Sequence, residues 1–415
     1  MHARPRIIVI GGGFGGLAAV RALRSAPVDV LLIDRGNHHT FQPLLYQVAT
    51  AGLAAPSIAA PLRHIVRSQR NATVLLGDAR RIDVERRNVD VNGVSHPYDY
   101  LIVAAGSTHA YFGHDEWARF APGLKTLEDA LRIRARILTA FERAEATDDP
   151  AERMEWLTFL IVGAGATGVE LAGTLAEIAR HTLKREFRRI DPATARVLLV
   201  EAGARVLPSF PPSLSSKARR QLERLGVIVR TGQPVTELDE GSVCIGKERV
   251  SARTVLWAAG VAASPLGATL GVEVDRAGRV PVTAQLTASG HAEVFVVGDM
   301  AAVTHGAGPV PAVAPAAKQM GRYAAAAILA RIAGRRMGPF HYRDFGSLAT
   351  IGRMAAVVEF GRIRLSGTLA WWIWLIAHVY FLIGFRNRLV VLIDWAEAYW
   401  SYRRGARIII PVDHG

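Results

Sequence analysis

Residues 6–20 read RIIVIGGGFGGLAAV, and residues 159–173 read FLIVGAGATGVELAG. In each, an apolar run ends in glycine, further glycines follow at the third and sixth positions, and a helix-forming segment takes over. A strand that turns through glycine into a helix opens a βαβ unit, and such a unit needs a parallel sheet with helices on its faces. Two copies far apart mean two units, not a short-period solenoid. Further strand candidates, Val28–Ile33, Leu101–Ala104, Ala195–Val200, Thr254–Trp257 and Val294–Val297, alternate with helical patterns around the copies. The expected class is α/β.

Composition agrees and narrows the partners. The 415 residues suffice for two or three domains, half of them are hydrophobic, and 39 are glycine, as an ordered α/β chain with many tight turns requires. The formal charge of +14 calls for an anionic partner: a phosphate-bearing cofactor, an acidic lipid surface or nucleic acid. Nucleic acid is not expected, because no recognised binding module is present. The basic amino terminus leads into an apolar run that glycines cut too short for a signal peptide.

Gly11, Gly13 and Gly16 fit the GxGxxG fingerprint, with Phe14 and Gly15 completing the loop. The first glycine permits the turn, the second lets backbone approach a pyrophosphate, and the third lets helix pack on strand. Asp34 closes the next strand, VDVLLID, 18 residues after Gly16, where an acid binds ribose hydroxyls; Arg35 follows it. The first candidate site is thus a dinucleotide site. DYLIVAAGS (Asp99–Ser107, including Gly106) and VFVVGDMA (Val294–Ala301) resemble the strands flanking the flavin nucleotide in two-dinucleotide flavoproteins, which implies FAD here. On that resemblance Asp299 binds the ribityl chain; it could equally cap the following helix, or do both.

Gly163, Gly165 and Gly168 repeat the fingerprint. The matching acid is Glu201, 33 residues after Gly168, the interval being lengthened by the basic run ARHTLKREFRRI. A carboxylate there repels a 2′-phosphate, so NADH rather than NADPH is expected. WAAGV (Trp257–Val261) resembles the matching late strand, which implies that Ala259 and Gly260 lie near the nicotinamide. Glu170 sits in the first helical turn, either as an acid favoured by the helix dipole or where nicotinamide meets flavin.

Cys244 is the sole cysteine, in a short alternating strand with no activating surroundings, and is expected to be inert. That excludes an internal disulfide and dithiol chemistry, and points to a reducing compartment. No metal-ligand spacing occurs. Electrons leaving a flavin then go to a diffusible acceptor or a carrier protein.

NHHTFQPLLYQVATAGL (Asn37–Leu53) resembles the segment that stands in place of redox cysteines in type II NADH dehydrogenases. The carboxy-terminal 60 or so residues, containing GTLAWWIWLIAHVYFLIGF, are similar to the bacterial tail of that family. The resemblance implies two Rossmann-like domains, with a FAD domain (1–123 and 291–335) split by an NADH domain (124–290), and a membrane-associating helical region (336–415). It also implies non-covalent FAD, NADH as donor and a quinone as acceptor without proton pumping. Dimerisation through the tail and a monotopic position on the cytoplasmic face of the inner membrane follow from the same likeness. The family's AQxxxQ quinone motif falls on Ala314–Gln319, where Pro315 replaces the first Gln. Pro315, Ala316 and Gln319 are carried over as quinone residues, Lys318 and Gln319 as catalytic neighbours of the acceptor, and Glu170 as a group beside the nicotinamide. Rival functions are a soluble NADH reductase of an electron-carrier protein and an NADH-sensing membrane flavoprotein.

Gly367–Phe385 holds 19 residues with no Asp, Glu, Lys or Arg, roughly 28 Å as one helix. Length alone leaves spanning, surface and core readings open. His378 near its middle, Trp371, Trp372 and Trp374 at one end, and an amphipathic continuation favour the surface. In that continuation Arg386, Asp394, Glu397, Ser401 and Arg404 share one sector of a helix, leaving much of the rest apolar, which suits acidic headgroups and the interface plane.

Overall fold

A computed structural model of the protein describes residues 4–305, 308–401 and 405–409; Arg404 of the tail sector lies outside them. The chain divides into two compact units.

The first unit holds residues through His39, Ala60–Thr108 and Val261–Phe345. Its centre is a six-stranded sheet in the order Thr287–Ala288, His291–Val296, Tyr100–Val103, Arg6–Ile10, Asp29–Asp34, Ala72–Leu76. All neighbours are parallel except the first pair. Ile7, Ile8, Val9 and Ile10 are buried because helices cover both faces of a parallel sheet, so its central strands read as apolar runs. The helix Phe14–Ala22 packs against Ala314–Ile332. The two meet where side chains are smallest, since a Cβ on Gly321 would come within 2.0 Å of the Gly15 carbonyl. The second helix begins at Ala314, with Pro315 in its first turn. Pro315 suits that place: its missing N–H has no partner to lose and its φ is already helical.

The second unit holds Thr40–Ala59, His109–Gly260 and the chain from Gly346 onward. Its parallel sheet runs Val227–Thr231, Arg196–Glu201, Thr158–Val162, Thr254–Trp257. The fingerprint helix Ala166–Glu177 lies against Ser347–Gly352, first strand of an antiparallel three-stranded tail sheet. Gly173 makes the contact possible, because a Cβ there would sit 1.6 Å from the Ile351 carbonyl oxygen.

The apolar stretch is not one helix. It forms Thr368–Phe381, breaks at Leu382–Gly384 where Gly384 has φ +87°, and resumes as Phe385–Ser401. Fourteen residues span only about 21 Å, and among the described residues no helix is long and apolar enough to cross a membrane. One face of Thr368–Phe381 packs inward through Ala370, Trp371, Trp374 and His378, while Leu369, Trp372, Ile376 and Tyr380 are exposed. His378 is buried and neutral: burial pushes its pKa down to about 4, only partly countered by its 2.7 Å contact to the Trp374 carbonyl.

Candidate functional site

In the first unit the glycine loop follows from sterics. Gly11 has φ +101°, and a Cβ there would lie 2.3 Å from the Ala104 carbonyl oxygen. One on Gly16 would lie 1.8 Å from the Gly11 carbonyl, which is why helix and strand can close on each other. Gly13 faces open space and caps the helix without any side-chain hydrogen bond, leaving the first-turn N–H groups for an anion. Asp34 accepts from the N–H of Gly12 at 2.5 Å and of Gly36 at 2.7 Å. A carboxylate offers about four acceptor positions, so ribose hydroxyls can still donate to it. Arg35 is exposed, 4.0 Å from Asp78. Gly106, at φ +71°, also faces open space, and Ser107 beside it donates to Asp299 at 2.7 Å. Asp299 lies in a short 3-10 turn, Gly298–Met300. The alternative helix-cap role does not arise in the structure, for no α-helix begins there.

One residue to which the sequence analysis gives no role, His39, joins this group, together with the expected Lys318. His39 is buried; its Nδ1 meets the Gly12 carbonyl at 2.8 Å, and its ring stands edge-on to Phe14 at 5.0 Å. Burial holds its pKa down to about 4, with Lys318 and Arg21 adding to the effect, so the imidazole is neutral and Nδ1–H donates. The Lys318 ammonium sits 5.0 Å from the centre of the Phe14 ring, a cation–π distance. Burial, with Arg322 and Arg21, lowers the pKa of Lys318 to about 8. Gln319, one residue on, is bonded in both directions to the backbone of Arg343.

The second unit repeats the arrangement bond for bond. Gly163 has φ +98° and packs on Ala259, Gly168 closes on the Gly163 carbonyl, and Gly165 faces open space at an uncapped helix start. Glu201 accepts from Ala164 N–H at 2.7 Å and Gly203 N–H at 2.8 Å, the same two-point clamp that holds Asp34. The exposed Phe112 ring covers Gly260 so closely that a Cβ would fall 2.5 Å from it. Each unit therefore fits a dinucleotide: glycine where phosphate approaches, free N–H groups, and an acid at the strand end.

Glu170 is the fifth residue of the helix Ala166–Glu177, one turn further in than the sequence analysis places it, because the helix starts at Ala166 rather than at the third glycine; the backbone N–H of Thr350 donates to it. Burial outweighs that bond and raises its pKa from 4.5 to about 8. Thr350 also borders a cavity of about 100 Å³ with Thr174, Glu177, Tyr46, Trp371 and Trp374. No sequence signal pairs residues 170 and 350, since the contact depends on how the tail sheet docks.

Comparison with known proteins comes to the same place. Residues 5–321 match the pyridine nucleotide-disulphide oxidoreductase family, and residues 345–403 match the NDH2 C-terminal domain. The chain is 46% identical to the type II NADH:quinone oxidoreductase Ndh of Mycobacterium tuberculosis, over 97% of this chain and 89% of that protein. It is also 46% identical to NdhA of the same organism, over 98% and 89%. The structure of NDH2 from Plasmodium falciparum in complex with NADH superposes with a TM-score of 0.89, covering 99% of this chain and all of that one at 20% identity.

Proposed function

The chain belongs to the type II NADH:quinone oxidoreductase family, and from that premise we propose how its own residues carry the reaction. FAD, when bound, would supply the two-electron chemistry between NADH and a quinone. The carrying observation is the doubled cradle: two complete dinucleotide loops, each with a carboxylate clamped at the strand end.

The Gly11–Gly16 loop and the N-terminus of Phe14–Ala22 bind the FAD pyrophosphate, Asp34 its adenosine ribose, and Asp299, steadied by Ser107, its ribityl chain. Gly163–Gly168 and Glu201 bind NADH in the same manner, with Ala259 and Gly260 at the nicotinamide end. Glu201 disfavours NADPH by charge. Glu170, protonated near neutral pH because burial raises its pKa to about 8, holds a proton beside the nicotinamide and exchanges it through the cavity that Thr350 borders. Lys318, Ala316 and Gln319 form the acceptor side. Pro315 contributes helix geometry there and no side-chain hydrogen bond.

The enzyme works on the cytoplasmic face of the membrane without crossing it. The exposed apolar faces of Thr368–Phe381 and of Phe385–Ser401, the latter through Leu389, Leu392 and Ile393, support this reading, as does the lack of a long enough apolar helix among the described residues. Anaerobic mixing tests the whole scheme. NADH bleaches the flavin, and a soluble quinone analogue restores its absorbance within turnover time. A flavin that bleaches but is not reoxidised by any quinone would mark a sensor instead. Reoxidation by a carrier protein alone would mark a soluble reductase.

A further inference from the structure

Between the second fingerprint helix and the strand Arg196–Glu201 the chain runs HTLKREFRRI (His181–Ile190). The mechanism above uses none of it. The helix ends in a π-helical turn, Ile178–Thr182; Leu183 and Ile190 are buried, and Lys184, Arg185, Glu186, Arg188 and Arg189 between them are exposed. A loose charge run would have a solvated backbone. Here the Glu145 carboxylate accepts the N–H groups of Arg188 at 2.9 Å, Arg189 at 2.9 Å and Ile190 at 3.0 Å. The loop is buried at both ends and clamped from one side, so its cations are displayed in a fixed arrangement.

Their partners are few. Arg189 pairs with Asp148, and Glu186 pairs with Arg407 of the tail. Lys184, Arg185 and Arg188 have no ion-pair partner among the described residues. The Arg407–Glu186 contact sets the loop beside the tail, and the residues following Arg407, Ile408 and Ile409, are 63% and 41% exposed. Unpaired cations bordering exposed aliphatic side chains are the pattern of a surface that meets lipid headgroups and the first acyl carbons together.

We propose that Lys184, Arg185 and Arg188 form an electrostatic docking surface for anionic lipid headgroups, next to the apolar tail. The inference rests on the reading that the tail lies on a membrane, and it adds lipid selectivity to that reading. The loop is fixed before binding, so little ordering entropy opposes contact.

Co-sedimentation of the FAD-loaded full chain with vesicles tests it, using phosphatidylcholine alone or phosphatidylcholine mixed with phosphatidylglycerol. The wild type binds the mixed vesicles more tightly, and added salt narrows the gap. Replacing Lys184→Gln, Arg185→Gln and Arg188→Gln together cuts binding to mixed vesicles on the order of tenfold. Binding to phosphatidylcholine and flavin bleaching by NADH stay as in the wild type, which shows that the variant is folded. A triple variant that keeps the full preference for phosphatidylglycerol overturns the proposal. So does one that keeps it while the lipid-free protein changes from dimer to monomer, which assigns the loop to a contact between copies. A wild type that binds neither vesicle overturns the tail reading itself, a failure distinct from a loss confined to anionic lipid.

Discussion

Gln319 and Arg343 hold each other by two hydrogen bonds: the Gln319 amide nitrogen donates to the Arg343 carbonyl at 2.9 Å, and its amide oxygen accepts the Arg343 N–H at 2.9 Å. The side chain thus pairs with backbone as a neighbouring strand would, tying the helix Ala314–Ile332 to the segment that leads into the tail. One amide hydrogen and one lone pair are left for an acceptor. Gln319→Ala is expected to raise the quinone KM severalfold while the rate of flavin bleaching by NADH is unchanged. Loss of two partly exposed bonds should cost about 1–2 kcal/mol, seen as a lower Tm. Unaltered quinone kinetics in a variant with a lowered Tm would leave Gln319 a structural tie alone.

Glu170 predicts a pH signature. Its folded pKa, about 8, lies above the usual 4.5, so the folded state holds the proton more tightly than the unfolded chain. The contribution to stability is fully present below pH 4.5 and is lost as pH rises through 8. Glu170→Gln removes the titration. Melting curves across that window should show the wild type losing Tm relative to the variant as pH rises. Quinone turnover of Glu170→Gln should fall and lose its dependence near pH 8. A parallel pH dependence of Tm in both proteins would mean that Glu170 is ionised throughout.

What could be read from the sequence was whatever backbone chemistry confines to one segment. The glycine loops, and Asp34 and Glu201 at their strand ends, are legible because only glycine meets the steric demands at Gly11 and Gly163 and only a strand-end carboxylate reaches the loop N–H groups. Pairings between distant residues were not legible. Gln319 with Arg343, His39 with Gly12, and Glu170 with Thr350 each depend on docking that no local pattern encodes. The tail lay between these cases: its apolar character was plain, but Gly384 inside it ends the helix, and the exposed and buried faces separate only once Trp374 and His378 are packed. Ser401 and Arg404 entered the polar sector by angle alone. Of its described members, Arg386 and Glu397 are exposed and Asp394 is half-buried.

Glu201 sets the coenzyme preference. Its oxygens already take two N–H donors, which orient the carboxylate and keep its charge where a 2′-phosphate would sit. Glu201→Ala removes the repulsion and leaves the Ala164 and Gly203 N–H groups free to bind phosphate. The ratio of kcat/KM for NADH over NADPH should drop by about tenfold or more, equivalent to about 1.4 kcal/mol. Steady-state assays with both coenzymes decide it, and an unchanged ratio would sink the ribose role.

The outward face of Thr368–Phe381 should behave as a membrane contact. Ile376 is 63% exposed and Leu369 60%, so a charge at either position meets water in the free protein and costs little stability. On a bilayer the same charge must leave water. Ile376→Asp together with Leu369→Glu should weaken vesicle binding on the order of a hundredfold, with Tm and soluble-quinone activity close to wild type. Vesicle binding that survived both changes would place the contact elsewhere.

Gly173 gives the sharpest steric prediction. The obstruction is a backbone carbonyl, that of Ile351, 1.6 Å from where a Cβ would lie, and a strand held in a three-stranded sheet cannot swing aside as a side chain could. Gly173→Ala therefore forces Ser347–Gly352 away from the fingerprint helix. Overpacking of this kind costs about 1–3 kcal/mol or more, and the first interaction to go is the Thr350 N–H bond to Glu170. Ala is the better helix former, by about 1 kcal/mol, so propensity alone predicts stabilisation. Thermal melting separates the two effects by sign: a lowered Tm, with quinone turnover reduced more than flavin bleaching, means the tail strand has been displaced, while a raised Tm would show that the strand and helix can part without loss.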